Sequence, residues 1–212
     1  QAGDFVMINW QYLPNRLVVF DGTSLAPVTV ATVGYVTPAT DVAVARNGDV
    51  LLSVVDYGVV KIVPETGEQS VMASPATLGE GRPSGIAVGP DGTIFVSMQG
   101  ASPRVVQLSA EGAFLRVLTS GGLLPMPAGM CFGNDGALYV CATSLYGGGG
   151  IVQVDLASGA QTLIAANEPL LGPLDVTAAP DGTLWSVQYG TGTFRLAACI
   201  VRTRVSDGYS EV

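Results

Sequence analysis

The sequence predicts an all-β fold built from repeats, and three observations support this prediction. A turn glycine recurs at steps of 44, 44 and 46 residues, at Gly48, Gly92, Gly136 and Gly182. A second turn recurs at steps of 45, 45, 47 and 49 residues, at Asp21-Gly22, Thr66-Gly67, Glu111-Gly112, Ser158-Gly159 and Asp207-Gly208. Short Val-, Ile- and Thr-rich runs flank both turns, and no stretch keeps a 3.6-residue period. A period of about 40–50 residues with four short strands is typical of a β-propeller blade.

The clearest copy of the repeat is Pro83–Ser97, an apolar strand, a Pro-Asp-Gly turn and a second apolar strand. In such a turn proline presets φ, aspartate bonds nearby backbone, and glycine accepts a positive φ. The same phrase recurs at Asp41–Ser53, Ala128–Cys141 and Leu174–Val187. We designate strands a and b around this turn, and strands c and d around the second turn. The repeat predicts one domain over residues 1–212, with blades at approximately 1–36, 37–76, 77–122, 123–168 and 169–212.

The first blade is incomplete in the sequence. Gly3-Asp4 aligns with Gly92-Thr93, so the residues from Phe5 to Trp10 match strand b and no strand a precedes them. We therefore predict about five four-stranded blades, the first lacking its inner strand. Three closures are compatible with this pattern: a five-bladed ring with a three-stranded first blade, which we favour, a trimmed larger propeller, or completion by another subunit. Strand addition in the third case would use an unpaired edge. The candidate assembly residues are Phe5, Val6, Ile8 and Trp10 at the start and Tyr209 and Val212 at the end.

Composition limits the classes of partner. The net charge is −8, which argues against nucleic acid, because phosphate binding requires clustered Lys and Arg. No apolar run approaches the roughly 18 residues that span a bilayer.

Only 12% of residues are charged, where about 25% is typical. Two explanations of this low charge content remain: a large all-β core with small polar loops, or a surface that is covered by neighbours in an oligomer or filament. A start at Gln1 fits a secreted chain or a trimmed one, and an extracellular or cell-surface location is expected.

The phrase at Pro83–Ser97, followed by a strand c that opens with Arg104, resembles the NHL-repeat propellers. It is similar too to the wider group of gluconolactonase-like and virginiamycin B lyase-like propellers. The resemblance covers nearly the whole chain and implies the fold. It says little about activity, because such propellers host lactonases, lyases, scaffolds and binding modules.

The resemblance implies that strand a lines a central channel, with its first residues at one rim. The matched pairs are Thr40-Asp41, Ser84-Gly85, Ala128-Gly129 and Leu174-Asp175. Gluconolactonase-like enzymes place an Asn at the first position of such pairs to hold a cation, and this chain has none there. Asp41 and Asp175 are candidate ligands for Ca²⁺ or another hard cation. The alternative is a pair of rim carboxylates bonded to backbone amides.

Two further rim candidates are Ser84 and Asp56. Asp56 matches an aspartate of the NHL consensus, but the equivalent residues in other blades are not acidic, which favours a loop-bonding role over a catalytic one. The chain has no histidine, which removes the usual general base near neutral pH and the His-dependent chemistry of a lyase-like site. No catalytic residue is therefore predicted.

Two other residue sets are expected to be structural. Cys131 and Cys141 occupy diagonal positions on paired strands, which suit a disulfide poorly, and Cys199 of the neighbouring blade is the alternative partner for Cys141. Buried free thiols are the simpler interpretation. An apolar position shared by all four complete repeats is expected to be core between blades, with ligand stacking as an alternative for the last member; its residues are Leu51, Phe95, Tyr139 and Trp185.

The sequence favours a structural or interaction module over an enzyme, working without a cofactor and binding protein, as a homo-oligomer or filament. The first alternative is a metal-assisted lactonase or lyase that uses Asp41 and Asp175 in the channel. The second is a small-ligand or glycan binder that uses two enlarged b–c loops, Ser144–Gly150 and Tyr189–Cys199.

Overall fold

The computed structural model describes residues 5–9, 16–20, 23–24, 26–31, 34–35, 38–143, 149–166, 168–188 and 199–212. These residues form nineteen strands in five antiparallel sheets, and one short helix. The N-terminal sheet contains β1 (Phe5–Asn9), β2 (Arg16–Phe20) and β3 (Pro27–Ala31). The helix α1 (Pro75–Leu78) is capped by Ser74, whose hydroxyl accepts from the Thr77 amide. No helix in this described part is long and apolar enough to cross a membrane.

The other four sheets have four strands each, paired in chain order, and we number them blades I to IV. Blade I contains β4 (Ala39–Val44), β5 (Val50–Val54), β6 (Gly58–Ile62) and β7 (Gln69–Ala73). Blade II contains β8 (Arg82–Val88), β9 (Ile94–Gln99), β10 (Arg104–Leu108) and β11 (Phe114–Ser120). Blade III contains β12 (Pro127–Phe132), β13 (Leu138–Ala142), β14 (Gly150–Val154) and β15 (Gln161–Ala166). Blade IV contains β16 (Pro173–Ala178), β17 (Thr183–Gln188), β18 (Ile200–Arg204) and β19 (Ser210–Glu211).

The predicted β-propeller is confirmed, but the number of complete blades is four and not about five. Within the described residues β1 pairs with β2 alone, so the N-terminal sheet has no innermost strand and is not a complete blade. The inner strands of blades I to IV contact one another in chain order, β4 with β8, β8 with β12, and β12 with β16.

The described turn glycines of both predicted series adopt backbone conformations with a positive φ. The a–b turn glycines have φ between +77° and +92°, and in blade II the Gly92 amide bonds the Gly89 carbonyl at 2.9 Å. Asp91 Oδ1 accepts from the Thr93 amide at 3.0 Å, as the turn chemistry predicted. The c–d turn glycines Gly112, Gly159 and Gly208 also have positive φ. A Cβ at any of the three would overlap the backbone of the preceding blade's outer strand, so these glycines allow neighbouring blades to approach closely.

The core lies between successive sheets in four apolar clusters. Leu17 of β2, fully buried, packs with Leu52 and Ile62 of blade I, which places the N-terminal sheet before that blade. Leu51 of blade I packs against blade II, Phe95 of blade II against blade III, and Tyr139 of blade III against blade IV. These three members of the shared apolar position are core, as predicted.

Candidate functional site

Each inner strand of blades I to IV has a β-bulge near its N-terminal end. The pairing with strand b shifts register between Ala39 and Asp41, and the other inner strands shift at the corresponding points, Pro83/Ile86, Pro127/Met130 and Pro173/Asp175. A bulge re-aims one side chain and leaves ladder groups unpaired. The rim of the propeller is therefore built from backbone groups that need other partners.

Side chains of strand b supply those partners. Ser97 Oγ accepts from the Gly85 amide and donates to the Ala128 carbonyl of blade III, both at 2.7 Å. Ser53 Oγ likewise donates to the Ser84 carbonyl of blade II at 3.3 Å. Because these hydroxyls are fully buried, the bonds join successive blades in a dry environment. Sequence reasoning missed this role, although serine recurs at this position in two repeats.

The central channel lies inside the four inner strands. Its cavity has a volume of about 320 Å³ and is lined by β4, β8, β12 and β16, with Asp41 and Asp175 as its carboxylates. Asp41 Oδ1 accepts from the Val42 amide at 2.7 Å, and its Oδ2 accepts from Ile86 of blade II at 2.8 Å. Asp175 Oδ1 accepts from the Val176 amide at 2.8 Å. The structure brings together the two predicted carboxylates, and both bond backbone amides.

Two glycines make room for this arrangement. At the positions equivalent to Asp41 and Asp175, blades II and III have Gly85 and Gly129. A Cβ on Gly129 would overlap Asp175 Oδ1, and a Cβ on Gly85 would overlap the Ala128 carbonyl. Glycine at these two positions is therefore required sterically.

Burial and mutual repulsion set the protonation of the pair. Burial, and next the neighbouring Asp175 charge, raise the pKa of Asp41 to about 8. Burial also raises the pKa of Asp175. The pair therefore holds a proton near neutral pH, which is the property of a group that can donate or accept one.

The pair does not by itself fit a calcium site. Ca²⁺ takes six to eight oxygen ligands. The described residues contain no group of three or more His, Cys, Asp or Glu side chains that could hold a metal ion. Three of the four carboxylate oxygens of Asp41 and Asp175 already accept backbone amides.

The other rim candidates lie apart from these carboxylates. Asp56 is exposed in the turn between β5 and β6 and is not among the residues that line the channel. Ser84 Oγ accepts from Gln99 Nε2 at 3.0 Å, an interaction within blade II.

The three cysteines are free thiols. Cys131 pairs with Tyr139, which leaves Cys141 diagonal to it as the repeat predicted. Burial, followed by the charges of Asp175 and Asp135, raises the pKa of Cys131 to about 12, and burial also raises the pKa of Cys141. Both thiols therefore stay protonated at neutral pH and are poor nucleophiles.

One blade face is open, and it corrects the prediction for Trp185. On blades I to III, three positions of strands b and c face the next blade, and every residue there is at most 1% exposed; they are Leu51, Ser53, Val59, Phe95, Ser97, Val105, Tyr139, Cys141 and Ile151. The equivalent residues of blade IV are Trp185, Val187 and Ile200, exposed by 42%, 46% and 57%. Trp185 was predicted to be core, but it is 42% exposed, and no sheet formed by the described residues covers it. We refer to Trp185, Val187 and Ile200 as the open face.

The predicted assembly residues are only partly described. Phe5, Val6 and Ile8 lie in β1, and Trp10 lies outside the described residues. Tyr209 and Val212 are exposed, and Tyr209 stacks on Arg204 with 5.3 Å between the guanidinium carbon and the ring centre. Of the two enlarged loops, residues 144–148 and 189–198 also lie outside the described part.

No protein-family model and no curated protein matches the chain. Solved structures are similar in fold. Virginiamycin B lyase from Staphylococcus aureus is 18% identical with a TM-score of 0.64, over 93% of this chain and 62% of that one. A putative gluconolactonase is 16% identical with a TM-score of 0.68, over 92% of this chain and 68% of that one. A chain of a nidogen/laminin complex is 13% identical with a TM-score of 0.67, over 98% of this chain and 92% of that one.

At these identities the likeness shows the fold alone. The resemblance to lyase-like and gluconolactonase-like propellers is confirmed at that level. The chain spans 62% of the length of the lyase it resembles. The same fold occurs in named enzymes and in a complex with a protein partner, so the choice between these functions depends on the residues of this chain.

Proposed function

We propose that this chain is a protein-interaction module that associates through the open face of blade IV. The single observation that carries this proposal is the exposure of Trp185, Val187 and Ile200 at positions that are buried in every other blade. Adjacent exposed apolar side chains of this size typically mark an interaction surface. The outer part of this surface carries Arg202, with its guanidinium carbon 5.9 Å from the centre of the Trp185 ring.

The partner we propose is a second copy of the chain. The described residues already form three sheet-to-sheet interfaces of this kind, in which strand b and c residues of blades I, II and III pack against the next blade. A neighbouring copy that places a sheet on the open face would continue that series head to tail. A head-to-tail contact builds a ring if its rotation closes and a filament if it does not, so either kind of oligomer belongs to this proposal. The extracellular or cell-surface location expected from the sequence belongs to this proposal.

Sedimentation velocity across a wide concentration range tests the proposal. We expect species larger than a monomer that grow with concentration, and we expect Trp185→Ser combined with Val187→Thr to sediment as a monomer. Phe114→Ser is the matched control, because Phe114 is a similarly exposed aromatic residue on the outer strand of blade II. A wild-type chain that remains monomeric, or a double variant that associates like wild type, would contradict the proposal.

A second candidate is an acid–base site in the channel, favoured by the raised pKa of Asp41 beside Asp175. A carboxyl group that titrates near neutral pH can exchange a proton with a bound substrate. Because a similar fold occurs in a putative gluconolactonase, glucono-δ-lactone is the first substrate to test. Turnover that disappears in Asp41→Asn and survives in Asp56→Asn would support this candidate, and turnover unchanged in Asp41→Asn would exclude it.

A further inference from the structure

A second cavity lies between blades I and II, away from the channel. We call it the wedge cleft; its volume is about 610 Å³, within the range of small-molecule sites. Leu51 and Ile94, both buried, form its floor, and Met72 forms one wall. Lys61 and Arg46 lie at its margin. The cleft is amphipathic, with an apolar floor and charged edges.

Two side chains of blade I, Leu51 and Ser70, are smaller than their equivalents on blades II and III, and this leaves the space of the cleft. On each blade one residue of strand b, one of strand c and one of strand d lie side by side on the face toward the next blade. The sets are Leu51, Lys61 and Ser70 on blade I; Phe95, Gln107 and Arg116 on blade II; and Tyr139, Gln153 and Thr162 on blade III.

On blade II, larger side chains fill the space between this blade and the next. The Phe95 ring packs edge to face on Phe132 of blade III, with 5.4 Å between the ring centres. Arg116 donates to Gln107 Oε1 at 2.8 Å and to the Ala157 carbonyl of blade III at 3.1 Å, which bridges the two blades. Blade III also has an aromatic residue, Tyr139, whose hydroxyl bonds Asp135. Blade I has leucine in place of the ring and serine in place of the bridging arginine.

Two cations, Lys61 and Arg46, and three carboxylates, Asp49, Asp91 and Glu111, line the wedge cleft. Each carboxylate accepts a hydrogen bond from a neutral side chain of its own turn, whereas the cations lack close partners in the described part of the chain. Within the described residues Arg46 makes no direct hydrogen bond or ion pair, although after the Thr93 hydrogen bonds its charge contributes to lowering the pKa of Asp91. Lys61 has one long contact of 3.8 Å to Asp49. The nearby carboxylates bond their own turns, Asp91 to Thr93 at 2.6 Å and Glu111 to Ser109 at 2.9 Å. A ligand anion can therefore bind Lys61 and Arg46 without displacing a strong pair.

We propose that the wedge cleft binds a small aromatic carboxylate. The ring packs on Met72 and Val71 above the buried Leu51 and Ile94, in the space that Phe95 and Tyr139 fill on blades II and III. The carboxylate pairs with Lys61 and Arg46. This site is independent of the open face and of the channel, because it shares no residue with either.

Titration calorimetry with phenylacetate tests this site on the whole chain. We expect saturable binding with a Kd of about 1 mM or tighter, and binding at least about tenfold weaker for the uncharged phenylacetamide. Lys61→Met should weaken phenylacetate binding at least about tenfold, since it keeps the stem and removes the charge. Leu51→Phe should abolish binding, because the new ring occupies the floor as Phe95 does in blade II.

Arg82→Gln is the charge-matched control, because Arg82 is exposed at the start of β8 and does not line the cleft. It should bind phenylacetate like wild type. If Leu51→Phe does not fold, Lys61→Met still decides the question, since Lys61 is a partly exposed side chain. The proposal is overturned if wild type shows no saturable binding, or if Lys61→Met and Arg82→Gln bind phenylacetate equally.

Discussion

Asp41 and Asp175 lie on the first and fourth inner strands, yet their carboxylates face one channel and repel each other there. In each residue the carboxylate oxygen Oδ1 accepts a hydrogen bond from the backbone amide of the next residue, Val42 or Val176. The two residues therefore titrate as a pair, and several measurable consequences depend on it.

Replacing one member of the pair should lower the pKa of the other. Asp175→Asn keeps an acceptor for the Val176 amide and removes the charge, so the pKa of Asp41 should fall from about 8 toward its ordinary value. Burial still acts on Asp41, so the fall should be partial. Carboxyl ¹³C NMR titration measures it, with Asp56→Asn as the control. An Asp41 pKa that does not change in Asp175→Asn would refute the pairing.

Stability should fall as pH rises through the neutral range. The pKa of Asp41 is about 8 in the folded chain and 3.8 as a model value, so between these limits the folded state holds a proton that the unfolded state has lost. The free energy of unfolding therefore decreases from about pH 4 to about pH 8 and then levels off. Urea unfolding at a series of pH values should show a loss on the order of a few kcal/mol. Asp175→Asn should flatten this slope, and an equally steep slope in that variant would count against the explanation.

Two buried serines should respond in opposite ways to alanine. Ser97→Ala leaves the Gly85 amide and the Ala128 carbonyl without their buried partner, so it should cost about 2–3 kcal/mol. Ser186 Oγ is buried without a hydrogen-bond partner in the described part of the chain. Ser186→Ala should therefore be neutral or stabilise by up to about 1 kcal/mol. Equal destabilisation by both substitutions in denaturant melts would disprove the bridging role of Ser97.

A methyl group at Gly129 should disturb the channel carboxylate. The new Cβ would overlap Asp175 Oδ1 and lie 2.7 Å from Asp175 Cα, so Gly129→Ala should destabilise by about 1–3 kcal/mol. Adding Asp175→Ala removes the clashing oxygen and should recover part of that loss, which a double-mutant cycle measures. Strict additivity of the two substitutions would argue against the steric account.

Calcium should have no strong effect on this chain. The carboxylates of Asp41 and Asp175 are two ligands for an ion that takes six to eight. Thermal unfolding with millimolar Ca²⁺ and with a chelator should therefore give the same Tm within about 1 °C. A saturable rise in Tm that is absent from Asp41→Asn/Asp175→Asn would contradict this prediction and support a cation site at the two carboxylates.

Local turn chemistry and the repeat made most of the fold predictable. Gly92 and Gly112 each require a backbone conformation that other residues rarely adopt, and their spacing therefore marks each blade in the sequence. The predicted strands b, c and d of the first blade are confirmed as β1, β2 and β3. The pairing of Asp41 with Asp175 was also predictable, because the resemblance to gluconolactonase-like and lyase-like propellers implies that the first residues of strand a share one channel rim.

Exposure was not predictable from the repeat. Trp185 has the same local sequence context as Tyr139, but burial depends on whether another sheet follows in space. The β-bulges at the strand heads and the bridging role of Ser97 depend on contacts between blades, which a periodic pattern does not encode. The wedge cleft depends on the volumes of facing side chains, where Leu51 differs from Phe95 by little in hydrophobicity and much in size.

Blade IV differs from blades II and III in having one packed face and one open face. In an array of repeats, stability is approximately a sum of each unit's own stability and its nearest-neighbour interfaces. Blade IV gains one such interface and blade II gains two, so the array should open from the β16–β19 end. Amide protons of β18 should then exchange with solvent sooner than those of β10, which would make this end the most dynamic of the four complete blades on the slow time scale of local unfolding.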